Sequence, residues 1–250
     1  MDIIKFDKDS VQKVIGAGLE GIVYLYTDPL GRKTAFKRFK DYYNLDDGIK
    51  PVPEKTMINK EKKLQLLSKE SCLKDDIELY DLVYENDKFV GFTSKFEPHE
   101  TFGQYKFERR KLKLEMLKKL RKKVEELNKN NIYIGDFSDD NFAFINNKVR
   151  LFDIDNYRID DYDFDIATRY INDFRKNCSH HEYLDNYCFN LYSISFYEGT
   201  DLSFVPHDLQ YKGLPNKMNT EKNRELRLEL LSPNNGYKPD YLIDHMKKIL

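Results

Sequence analysis

The run Ile15-Gly16-Ala17-Gly18-Leu19-Glu20-Gly21-Ile22-Val23 narrows the fold more than any other stretch of the chain. Its G-x-G-x-x-G-x-V spacing puts glycine where backbone amides can approach a phosphate closely or adopt positive φ. The residues after the last glycine separate two architectures. A dinucleotide-binding fold opens a helix at that point. Here Ile22 to Tyr26 comes next, a β-branched and aromatic run, so the loop joins two strands, the first spanning Val11 to Ile15. An ordinary glycine-rich hairpin has the same pattern, so the loop alone assigns no chemistry.

The rest of the first hundred residues continues in strands. Asp28-Pro29-Leu30-Gly31 is a turn, and Thr34 to Phe39 returns as a third strand. Lys50-Pro51-Val52-Pro53 breaks the pattern, and Glu54 to Lys69 is helical, with Met57, Glu61 and Leu64 on one face. Ile77 to Tyr84 and Phe89 to Phe96 form a hairpin closed by Glu85-Asn86-Asp87-Lys88. Beyond Lys106 the character changes. Phe107 to Leu127 is a long helix whose apolar stripe runs through Leu112, Met116, Leu120, Val124 and Leu127. Short strand-like runs come at Ile132 to Ile134, Phe142 to Ile145 and Val149 to Phe152, and the remainder, from about Asp163, is mostly helical. The predicted class is α+β: a β-rich N-terminal lobe over 1–96 with one helix, and a mainly helical C-terminal lobe over 97–250.

Composition excludes several classes. The 42 Lys and Arg balance 43 Asp and Glu, so the chain as a whole is no electrostatic nucleic-acid binder. No apolar run approaches the roughly 18 residues of a membrane helix. Acids near Met1 do not suit a signal peptide, so a cytoplasmic protein, in its own cell or exported into a host cytosol, is expected. Cys72, Cys178 and Cys188 are too few and scattered for a disulfide framework or zinc site and are expected to be buried thiols.

Four further features carry chemistry. Ala35-Phe36-Lys37 places a lysine on the next strand, fourteen residues after Val23, where it can reach phosphates. Glu61, on the face of Met57 and Leu64, can pair with that lysine; Glu54 and Glu70 compete for the role. Ile134-Gly135-Asp136-Phe137-Ser138-Asp139-Asp140-Asn141 sets an Asp and an Asn five residues apart, suited to a base and a metal ligand. A plain Asx-rich turn is the competing reading, and a calcium loop lacks its glycine. Leu151-Phe152-Asp153-Ile154-Asp155 lies twelve residues after Asn141 and offers a hard carboxylate, suited to magnesium rather than zinc.

Taken in order, these features resemble the protein-kinase-like superfamily, as a divergent, compact member of the eukaryotic type, over roughly Val11 to Glu198. The resemblance implies a role for each residue. Gly16, Ala17, Gly18 and Gly21 cover ATP. Val23 and Ala35 sandwich adenine from above, with Ala143 or a neighbour below, and the backbone of Lys95, Phe96 and Glu97 hydrogen-bonds it. Lys37 and Glu61 form an activating pair, Asp136 is the catalytic base, and Asn141 and Asp153 hold Mg2+. Asp185 to Glu198 resembles the central helix whose first Asp ties back to the catalytic loop. The implied activity is ATP- and magnesium-dependent phosphoryl transfer, foremost to Ser/Thr of a protein. The alternatives are a small-molecule kinase of the same fold, a nucleotide-binding pseudokinase, or an AMP transferase.

The chain departs from the family at Ile134, Gly135, Ser138 and Asp155 and lacks an Ala-Pro-Glu closing segment. Gly135 stands where an arginine usually grips a phosphorylated loop, which argues against that control. Asp155, Asp160, Asp161, Asp163 and Asp165 form an acidic stretch, read as a solvated loop or a lure for a cationic acceptor. Lys106 to Lys123 carries ten Lys or Arg and two Glu, read as a solvated face, with membrane or nucleic-acid contact as the competing reading. His180-His181, near Cys178 and Glu182, is read as a surface loop.

Overall fold

Paired asparagine and aspartate residues turn the chain at two of its tight hairpins. Asn86 and Asp87 have φ of 50° and 62°, and Asn146 and Asn147 have φ of 48° and 62°. Two consecutive left-handed residues are what a two-residue hairpin matched to strand twist requires. The computed structural model describes residues 1–18, 20–45, 48–74, 76, 78–165, 171 and 183–198. His180-His181 and Cys178 lie outside them. The chain divides into two compact units, Met1–His99 and Glu100–Leu250. The class is mixed α+β, with a six-stranded sheet and three described α-helices.

The N-terminal unit carries β1 (Asp2–Lys5), β2 (Val11–Ala17), β3 (Gly21–Thr27), β4 (Lys33–Phe39), β5 (Tyr42–Leu45), β6 (Gly48–Pro51), α1 (Glu54–Leu67), β7 (Leu79–Glu85) and β8 (Lys88–Lys95). The sheet order is β1-β7-β8-β4-β3-β2, with β1 parallel to β7 and every other pairing antiparallel. Successive residues of a strand point to opposite faces, and the core divides accordingly. On one face Tyr26, Phe36 and Val83 are buried against Phe6 and Val11. On the other, Phe39, Leu82 and Phe92 receive Leu64 and Met57 of α1.

The C-terminal unit carries α2 (Arg110–Lys129), β9 (Ile132–Tyr133), β10 (Phe142–Ile145), β11 (Lys148–Leu151), β12 (Arg158–Ile159) and α3 (Leu184–Glu198). Met116, Leu120, Val124 and Leu127 form the buried stripe of α2 as the periodicity predicts, joined by Leu114 and Leu117, while Leu112 is half-buried. Asn131, with φ of 56°, ends the helix in the left-handed conformation asparagine tolerates. Phe102, Phe137, Phe142, Tyr192 and Phe196 pack as one aromatic cluster, with ring centroids 5.1–6.2 Å apart. Each such pair adds about 0.5–1.5 kcal/mol beyond area burial.

The α2 lysine at position 113 is buried. Its Nζ donates to the carbonyls of Phe196 at 3.2 Å, Tyr197 at 2.6 Å and Lys106 at 3.1 Å. Helix C-terminal carbonyls have no partner within the helix and carry partial negative charge, so a buried ammonium there serves as a cap. Cys72 and Cys188 are buried thiols, as expected. Among the described residues no helix is long and apolar enough to cross a membrane.

Candidate functional site

In the N-terminal unit, register gathers the predicted nucleotide residues on one face of the sheet. Gly16 pairs with Val23, Val23 with Lys37, and Leu25 with Ala35. Directly paired residues share a face, so Gly16, Val23, Ala35 and Lys37 lie together, on the side that receives Leu64 of α1. Lys37 is buried, and its Nζ stands 5.6 Å from the Phe39 ring centroid. Lys95 closes β8 and donates its N–H to Glu78 O at 2.9 Å, with Phe96 and Glu97 half-buried after it.

Of the two uses the sequence allows these glycines, positive φ is not the one the fold makes. Among the described residues the glycines with positive φ are Gly31 and Gly135, not Gly16, Gly18 or Gly21. At Gly21 the reason for glycine is proximity, since a Cβ would stand 2.6 Å from the carbonyl oxygen of Arg38. At Gly18 a Cβ would meet nothing within 4 Å, so packing does not dictate glycine there. Ala17 is exposed in the same hairpin. Two lysines hold the loop. Lys40 Nζ donates to Gly18 O at 2.8 Å, and Lys60 Nζ pairs with Glu20 Oε1 at 2.9 Å. Both members of the second pair are largely buried, so solvent screens their attraction little.

Glu61 has other partners than Lys37. Its Oε1 accepts from Gln65 Nε2 at 3.3 Å, and it takes a hydrogen bond from the Tyr84 hydroxyl. Burial, reinforced by that carboxylate, pushes the Tyr84 phenol up to about 12. The preceding residue of α1, Lys60, makes a buried ion pair with Glu20, which the sequence does not signal because Glu20 lies inside the glycine run.

In the C-terminal unit, the segment from Ile134 to Asn141 has no regular secondary structure, yet α3 fixes it at both ends. Asp185 Oδ2 accepts the N–H of Ile134 at 2.8 Å, and Oδ1 that of Gly135 at 2.9 Å. Two turns along the helix, Tyr192 OH donates to Asp139 Oδ1 at 2.9 Å. The sequence reading found the first tie and missed the second, since a tyrosine on an aromatic helix gives no signal of its own. Between the ties, Asn141 Nδ2 donates to the Asp136 carbonyl and to Asp136 Oδ2, both at 3.1 Å. The candidate base and one candidate metal ligand are therefore in direct contact, with the Asn141 carboxamide oxygen turned away from the carboxylate.

Asp153 reaches the same neighbourhood through β10–β11. Phe142 pairs with Leu151, and Phe152 N donates to Asn141 O at 2.8 Å, so Asn141 and Asp153 flank the open end of one hairpin. Asp153 adopts φ 57°, ψ 39°, a left-handed conformation that a non-glycine residue enters at a cost. Ala143 is buried within β10. A carboxamide oxygen and a carboxylate are hard donors that suit magnesium, an ion that keeps several waters and phosphate oxygens in its shell. Among the described residues no three His, Cys, Asp or Glu side chains converge on a metal position.

Gly135 has φ of 66°, and a Cβ there would stand 2.5 Å from Phe164 Cε1 and 2.9 Å from Ile171 Cδ1. No arginine fits at this position. Asp155 is fully buried, so it is not part of a solvated acidic loop, whereas Asp160, Asp161 and Asp163 are exposed.

Burial raises the Asp185 carboxyl from 3.8 to about 7, against the Ile134 and Gly135 N–H donors and Arg121, which lower it. A raised folded-state pKa makes this group's contribution to stability full below pH 3.8 and lost as pH rises through about 7. The melting temperature should therefore fall between pH 5 and pH 8, and Asp185→Asn should flatten that slope while lowering stability throughout. A pH series of thermal melts with equal slopes for both proteins would reject this assignment.

No protein-family model and no curated protein matches the chain.

Proposed function

We propose that this chain is a magnesium-dependent ATP phosphotransferase of protein-kinase-like, bilobal fold, acting foremost on Ser or Thr hydroxyls. The observation that carries the reading is the Asn141–Asp136 hydrogen bond inside a loop held from behind by Asp185. An isolated Asx turn needs no such buried anchor fifty residues away in sequence. The N-terminal unit contributes Gly16, Gly18 and Gly21 over the phosphates, Val23 and Ala35 against adenine, and Lys37 to the phosphates. Gly18, where packing does not dictate glycine, suits a backbone that must approach a ligand.

In this reading Asp136 orients the acceptor hydroxyl and takes its proton as the oxygen attacks the γ-phosphorus. The bond from that phosphorus to ADP breaks in the same displacement, and little covalent work falls to the protein. Asn141 and Asp153 would hold magnesium, which when bound offsets the charge on the β- and γ-phosphates. The absence of room for an arginine at Gly135 supports constitutive competence rather than activation by loop phosphorylation. A second reading, nucleotide binding without turnover, is favoured by one observation: Glu61 is engaged by Gln65 and Tyr84.

The test is incubation with γ-labelled and, separately, α-labelled ATP and magnesium. Label from the γ position alone supports the kinase reading, and label from the α position means nucleotide transfer. Mg-ATP should also raise the melting temperature, and Asp153→Asn should abolish that rise. An undiminished rise in the variant would remove Asp153 from the metal site.

A further inference from the structure

Helix α2 bears a row of lysines that neither the fold nor the proposed chemistry uses. At 3.6 residues per turn, Lys111, Lys118, Lys122 and Lys129 fall within about 20° of one line, and the row is about 27 Å long. All four are exposed. The glutamates of the helix are engaged sideways: Glu115 with Lys119 at 3.5 Å, Glu125 with Arg121 at 2.9 Å and Glu126 with Lys123 at 3.4 Å. Among the described residues no ion pair reaches the row itself. In the turn that precedes the helix stands Phe107, 93% exposed, flanked by Lys106 and Glu108 with Arg109 and Arg110 following.

We infer that this face docks on an anionic lipid surface, with the lysine row at the headgroups and Phe107 entering the interface. A straight row of like charges meets a plane along its whole length. Lysine is a compact point charge without the fork that favours arginine in bidentate phosphate and base recognition. Single-stranded nucleic acid is held by basic residues interleaved with stacking aromatics, and α2 contains no aromatic residue. A lone exposed aromatic beside basic residues matches interfacial insertion, and charge plus one shallow anchor gives reversible binding. The near-neutral chain as a whole does not oppose this, since the lipid field acts only within a Debye length.

The chain has no Trp, so Phe107→Trp installs a single indole reporter at the site. Vesicles of phosphatidylcholine with about 30% phosphatidylserine should shift its emission to the blue, and pure phosphatidylcholine should not. Co-sedimentation should weaken about fivefold per lysine replaced by Gln, several hundred-fold for all four, and be lost in high salt. Because these lysines make no ion pair, the quadruple variant should keep the wild-type melting temperature, which separates lost docking from lost folding. Equal binding to both vesicle types, or unchanged binding by the quadruple variant, overturns the proposal. So does a shift of the indole by single-stranded RNA but not by vesicles, which assigns the row to nucleic acid.

Discussion

Gly135→Ala should destabilise the C-terminal unit by about 2–5 kcal/mol, read from urea denaturation followed by circular dichroism. Two effects add. A left-handed residue with a Cβ costs about 1–2 kcal/mol. Forcing a methyl into a filled core costs about 1–3 kcal/mol more, and here it meets the Phe164 ring and Ile171 closer than Cβ atoms approach. The ring is part of the packed interior and cannot swing away as an exposed lysine tip would. Gly18→Ala is the internal control. Its Cβ would enter open space at negative φ, so its effect should stay within about 0.5 kcal/mol. Equal midpoints for the two variants would mean that Phe164 does not close over position 135.

On the proposed phosphoryl-transfer reading, Asp136→Ala should lower the rate by about 10²–10⁴ while leaving Mg-ATP binding unchanged. A positioned general base contributes a factor of that size, about 3–5 kcal/mol of barrier. The alanine variant is informative because Asn141 keeps one of its two partners. Its Nδ2 loses Asp136 Oδ2 but still donates to the Asp136 carbonyl, which the substitution leaves in place. The candidate metal ligand therefore stays oriented, and a loss of turnover is not a disguised loss of metal. A fall of less than about tenfold would show that Asp136 is not the base.

Sequence made the strands of the sheet legible wherever alternation and turn chemistry agreed. Glu85 to Lys88 marked one hairpin, and the structure closes it with left-handed Asn86 and Asp87. β1 went unread because Ile3 is exposed and Ile4 only half-buried, so Asp2 to Lys5 carries no two-faced pattern; it is held by parallel pairing with β7. β5 and β6 went unread because Pro51 looked like a breaker, whereas it ends an edge strand, where a missing N–H is tolerated.

In the candidate site, the resemblance singled out Asp136, Asn141 and Asp153, and the structure brings the first two into direct contact. The contacts of Glu61 were not legible. Its periodicity places it on the Met57 and Leu64 side of α1, but which acid meets which lysine depends on rotation of the helix over the sheet. That rotation sets Lys60, not Glu61, toward the glycine loop. Gly135 showed the same limit in reverse, because the missing arginine was visible and its cause, the Phe164 ring, was not.

The two N–H groups held by Asp185 belong to a stretch with no helix or strand of its own. Their hydrogen bonds nonetheless end on a fully buried carboxyl rooted in α3. Local opening there must break the attachment of a core helix, so the free energy of opening approaches that of unfolding the unit. The Ile134–Gly135 segment is thus irregular in form but core-like in its resistance to opening, and a substrate would meet it already in place rather than wait for it to order.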